Sequence, residues 1–216
     1  NDSTLNDVSF MVAANSYGVK FFNLIFTGNS EYTIIWEGAD GVVENCTFRD
    51  NGGNNGVQGA AIQSHGDNLL IKNSAFVNNR ALSSQANGGA VWCNSTNLRI
   101  IDSNFTNNKA NAGGVHVYLA GRATYTLISG SRFIQGTKIG TGSAVILSNG
   151  TILVYNSLFE NNDGEYGGAL RLLNGIASIE FSNFTDNTAS YGGAIYSNVL
   201  LNLNASKFIH NQADYG

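Results

Sequence analysis

The chain has 216 residues, a formal net charge of −4, 12% charged residues, no proline and two cysteines. That balance offers no basic patch for nucleic acid, no disulfide framework and no apolar run long enough to cross a membrane as a helix. Polarity rests instead on 31 asparagines, a neutral hydrogen-bonding surface of the kind expected of extracellular proteins that touch glycans or other proteins.

Residues 1–25 are the least regular stretch and read as an irregular first coil, with Val8, Phe10 and Val12 alternating as a candidate first strand. From Phe26 to the end a two-part repeat takes over. Its first half is F-x-x-N, with Phe26, Phe48, Phe76, Phe105, Phe133, Phe159, Phe184 and Phe208 followed by Asn29, Asn51, Asn79, Asn108, Asn162, Asn187 and Asn211. Only the Phe133 copy lacks the Asn and has Gly136 there. The second half is G-G-A-[I/V/L], at Gly88–Val91, Gly113–His116, Gly167–Leu170 and Gly192–Ile195, with looser copies at Gly59–Ile62 and Gly142–Val145. Tyr32 to Trp36 takes the same place without its glycines. The Phe-to-Phe intervals are 22, 28, 29, 28, 26, 25 and 24 residues, a period that marks a solenoid.

Five residues before each Phe stands an apolar residue (Phe21, Val43, Ile71, Ile100, Ile128, Val154, Ile179, Leu203), and two earlier a second column begins at Val19. Period-two alternation over such short runs predicts strands with one buried face. No segment keeps helical spacing. A coil of about 25 residues with short strands and tight polar turns is a turn of a parallel β-helix, stacked on its neighbours at about 4.8 Å. The Phe residues are expected to stack inside, and the Asn residues to stack at a turn and bond along the rod. Absent proline suits a ladder in which each coil donates its N–H groups to the next. Cys46 and Cys93 fall in different coils, which favours free thiols. Insertions at Gly52–Gln58, Arg80–Asn87 and Ala120–Thr124 lengthen the early coils, and insertions at fixed places gather on one face.

F-x-x-N paired with G-G-A-[I/V/L] resembles the repeat of the polymorphic outer membrane proteins of chlamydiae and is similar to β-helical repeats of microbial adhesin-like surface proteins. The resemblance covers about residues 26–216. It implies a right-handed, single-stranded parallel β-helix of about eight coils and a role at the cell surface, and it brings no catalytic residues. The bacterial family's C-terminal membrane barrel has no counterpart in this stretch. The chain starts without Met and breaks off within a further D-Y-G motif, so a fragment of a longer repeat protein is expected.

If Ile62, Val91, His116, Val145, Leu170 and Ile195 point inward, their successors Gln63, Trp92, Val117, Ile146, Arg171 and Tyr196 point out. Gln63, Trp92, Arg171 and Tyr196 are therefore candidate binding residues, since Trp, Tyr and Arg are common interface anchors. N-x-[S/T] strings at Asn45, Asn94, Asn104, Asn149, Asn183 and Asn204, with another at Asn1, are candidate glycosylation sites in a secreted protein. Asp50 and Asp186 share one repeat position with Asn78, Asn107, Gln135, Asn161 and His210, which suits a turn role better than paired catalytic carboxylates. Asp163 and Glu165 share a loop without a basic partner, and His65, His116 and His210 occupy different repeat places. No cofactor, metal site or catalytic residue is expected. The reading is an extracellular adhesin-like solenoid binding a cell-surface glycan or protein. The alternatives are a unit of a glycosylated fibre that self-associates end to end, and a polysaccharide lyase or glycoside hydrolase of the β-helix type.

Overall fold

A computed structural model describes residues 3–53, 58–122, 124–137 and 140–216. The described residues contain strands and turns but no helix. Every named strand pairs in parallel with its equivalent in the next coil, which builds three long sheets of nine, eight and eight strands among the described residues. Sheet 1 runs from Ser3–Asn6 to Lys207–Ile209 and carries the F-x-x-N phenylalanines. Sheet 2 runs from Phe10–Val12 to Ile195–Ser197 and follows the glycines. Sheet 3 runs from Lys20–Phe22 to Leu200–Asn204 and leads back into sheet 1. The architecture is an all-β parallel solenoid of about eight turns.

Its core is a set of columns. Phe26, Phe48, Phe76, Phe105, Phe133, Phe159 and Phe184 are fully buried, and Phe208 closes the column at the exposed last coil. Successive rings lie 4.5–4.9 Å apart and within 10° of parallel. Burying such a side chain is worth about 1.5–3 kcal/mol, so this one column is a major share of the driving force. Trp36 is also fully buried, and Gly41 makes the room. A Cβ at Gly41 would lie 2.1 Å from the Trp36 ring.

Polar ladders run beside the apolar columns. Where the next coil also has its Asn, the ladder Asn sends Nδ2 to that Oδ1, at 3.0 Å from Asn29 to Asn51 and 2.9 Å from Asn51 to Asn79. The same Nδ2 also donates to the Phe carbonyl of the preceding coil, as from Asn79 to Phe48 at 3.0 Å. The Oδ1 accepts a second bond from the backbone N–H of the preceding Asn. These asparagines are buried without an unmet group, the condition on which a buried amide is tolerated.

A second ladder, unmarked in the sequence reading, is made of Ser74, Ser103, Ser131, Ser157, Ser182 and Ser206. Each hydroxyl donates to the carbonyl two residues back and accepts the N–H of the preceding coil's serine, or of Cys46 at the start. The signal was a Ser two before most phenylalanines.

Three expectations need correction. The first coil already carries all three strand positions, with Leu5 beneath Phe26 and Val8 between strands rather than within one. Asp163 and Glu165 lie in a short strand, Asp163–Tyr166, rather than a loop. The Gly113–His116 copy is out of step by one residue: Val91 pairs with Val117, and Val117 with Val145. Gly114, in left-handed backbone like Gly88, is the first motif glycine. Val117 therefore points inward and Tyr118 outward, while His116 takes the alanine place. The neighbouring Gly113 made a false match by composition alone.

Candidate functional site

The corrected register defines the outward column of sheet 2 as Met11, Ile35, Gln63, Trp92, Tyr118, Ile146, Arg171 and Tyr196. Two groups form on it. Trp92 lies 5.0 Å from the His65 ring, whose Nε2 is 2.9 Å from Gln63 Nε2 and 3.9 Å from Glu37. Asp67, in the same turn, accepts the Thr96 N–H at 2.8 Å, and that bond holds its carboxyl below the usual range. Three coils away the Arg171 guanidinium stacks 4.7 Å from the Tyr166 ring, with Tyr196 edge-on to Tyr166 at 5.1 Å. Tyr166, Tyr191 and Tyr215 stack in turn, 5.0 and 5.1 Å apart. The tyrosine before the glycines thus joins the site.

The structure brings Arg171 and Tyr196 together and sets Gln63 and Trp92 apart from them. Ile146 lies between the groups and is only 2% exposed, because the chain at Gly113 passes over it. Outward on this sheet is therefore not the same as accessible. The Tyr166 stack presents ring edges and hydroxyls, since its faces cover one another. Cation–π contact over Tyr166 pre-positions Arg171 at a cost far below that of ordering a free side chain. Among the described residues no three His, Cys, Asp or Glu side chains gather as a metal ion requires, and no helix is long and apolar enough to cross a membrane. Residues 54–57 of the first insertion and Ala123 of the third lie outside the described residues, as does Asn1.

Of the glycosylation candidates, Asn45, Asn104, Asn149, Asn183 and Asn204 are exposed. Asn94 is half-buried and accepts the Arg122 N–H at 3.0 Å, and Asn149 donates to the Gly121 carbonyl. Asn104 and Asn183 occupy one outward column of sheet 1, three coils apart.

The corner between sheets 3 and 1 is left-handed throughout: Asn23, Asn45, Asn73, Asp102, Gly130 and Asn156 all have positive φ. Phe181 and Ala205 occupy this corner too, at φ 51° and 46°. Asn, Asp and Gly suit such backbone, whereas a bulky residue there loses roughly 1–2 kcal/mol. Phe181 is 49% exposed, and its ring meets that of Tyr155 edge-on at 5.5 Å.

His116 is fully buried and spans the gap left by Gly136. Asn108 Nδ2 donates to His116 Nδ1 at 3.0 Å, and His116 Nε2 donates to Asn162 Oδ1 at 3.2 Å. Asn108 Nδ2 can only donate, so the ring is the neutral Nε2–H tautomer. Burial pushes its pKa down to about 3. The histidine is a rung of the asparagine ladder. Cys46 and Cys93 are free and buried, with burial raising both thiol pKa values.

Comparison with curated proteins and with solved structures returned no match. The family model described as "right handed beta helix region" matches residues 9–216, nearly the whole solenoid. The chain belongs to the right-handed β-helix family.

Proposed function

We propose that the chain is an extracellular adhesin-like solenoid whose recognition surface is the Arg171–Tyr166–Tyr196 cluster on sheet 2. The observation that carries this is the pre-stacked guanidinium: a cation held on an aromatic ring, flanked by further tyrosines, on a rigid sheet. Tyr and Arg on a rigid surface dominate protein interfaces. Because Arg171 and Tyr191 cover the Tyr166 ring, that ring suits a protein ligand that takes its hydroxyl and edge. The Trp92–His65–Gln63 group is the place for a glycan contact.

The proposed role is non-catalytic. Asp50 and Asp186 stand five coils apart in one left-handed corner column, about 24 Å at the strand spacing. Glycosidase carboxylates stand within about 10 Å of each other. Binding of the labelled chain to arrays of surface proteins and glycans tests the reading. Saturable protein binding is expected, weakened by more than tenfold in Arg171→Ala and Tyr196→Ala and unchanged in Trp92→Ala. Glycan binding lost in Trp92→Ala, with no protein binding that depends on Arg171 or Tyr196, moves the recognition surface to the other group. Release of reducing ends from polysaccharides overturns the non-catalytic role.

A further inference from the structure

Phe181, Asn183 and Thr185 read F-S-N-F-T, and the fold places the first two over one shallow cleft with Leu158, Arg132, Asn156 and Gly130. The Asn183 side chain is exposed and makes no hydrogen bond among the described residues. Phe181, two residues earlier, holds the left-handed corner that other coils give mainly to Asn, Asp or Gly. Its ring is about half exposed, so burial returns only about half of what a core phenylalanine would gain. A residue kept in strained backbone without a full packing return points to something it contacts that is added later.

We propose that Asn183 is an N-glycosylation site and that Phe181, braced by Tyr155, is the platform on which the first N-acetylhexosamine of the glycan rests. In the attachment an N-glycosidic bond forms between Asn183 Nδ2 and C1 of the sugar. The donor is a pyrophosphate-linked glycan, presented by a transferase of the secretory route. Its C1–O bond breaks, the electron pair leaves with the phosphate, and the amide gives up one proton to base. The step is redox-neutral. The apolar face of the pyranose then covers the Phe181 ring, while Arg132 and Asn156 reach its hydroxyls from the cleft rim. Occupancy in the source organism rests on the extracellular reading, whereas the packing of the sugar does not.

Asn104 is the internal control. It has the same N-F-T string in the same column, but Asp102 stands two residues before it. The full chain is secreted from a glycosylating host, with site occupancy read by mass spectrometry and Tm compared before and after enzymatic glycan removal. The Asn104→Gln variant, which keeps the glycan at Asn183, is expected to lose about 2–4 °C on removal. The Asn183→Gln variant, which keeps the glycan at Asn104, is expected to lose none. In the Phe181→Asn variant, whose corner returns to the usual residue and folds at least as well, the loss for Asn183 disappears. An unmodified Asn183, equal shifts at both sites, or a shift that survives Phe181→Asn overturns the proposal. Antibody labelling of intact source cells tests the compartment separately.

Discussion

Asn108 and Asn162 stand two coils apart, and His116 joins them in place of the missing asparagine. Its folded pKa of about 3 lies well below the roughly 6.5 of an unfolded histidine. Below pH 6.5 the unfolded chain therefore binds a proton that the folded chain refuses. The stabilising effect is complete above pH 6.5 and drains away as pH falls toward 3. Between pH 6.5 and 5, above the carboxylate range, urea-derived stability is expected to fall by about 1.6 kcal/mol in all, the slope steepening toward about 1.4 kcal/mol per pH unit. A flat profile across that window would refute the neutral-rung assignment. Sequence reading took His116 for an isolated histidine, since its partners are 8 and 46 residues away.

One coil departs from the repeat at Val115, His116 and Gly136 together. A Cβ at Gly136 would lie 2.5 Å from Val115 Cγ2, 2.8 Å from His116 Nε2 and 2.9 Å from Asn162 Oδ1. Gly136→Asn alone is thus expected to cost about 1–3 kcal/mol through overpacking. Adding Val115→Gly and His116→Ala returns all three places to the consensus of the other coils. The triple variant should recover most of that loss in a chemical melt, and its stability between pH 6.5 and 5 should no longer carry the His116 contribution. The reason lies in the ladder, where one rung is needed per coil but either an asparagine or a histidine from the turn before the sheet 2 strand can supply it. The Phe and Asn columns were legible because every copy repeats them. This substitution was not, because its three members lie at different repeat positions.

At the scale of the whole rod, each coil touches mainly its neighbours, so stability is close to a sum of coil and interface contributions. Excising residues 159–183 joins Leu158 to Phe184, the next residue of the same column. The shortened chain is expected to keep its β circular dichroism spectrum, with a urea m-value lower by roughly a tenth in proportion to the surface lost. It should also lose ligand binding, because Tyr166 and Arg171 go with the coil. A collapsed spectrum would show that coils are not interchangeable units.

The sequence by itself determined the solenoid, its period, the inward phenylalanines and the asparagine turns, because a repeat must satisfy the same backbone and burial demands in every copy. Only the tertiary structure decided what differs between copies. It set the register at Gly114, gave His116 its place in the ladder, and buried Ile146 between the two outward groups. It also brought Arg171 onto Tyr166 and Phe181 beside Asn183. Each of these depends on the coil above or below, about 25 residues away along the chain but one strand spacing away in space.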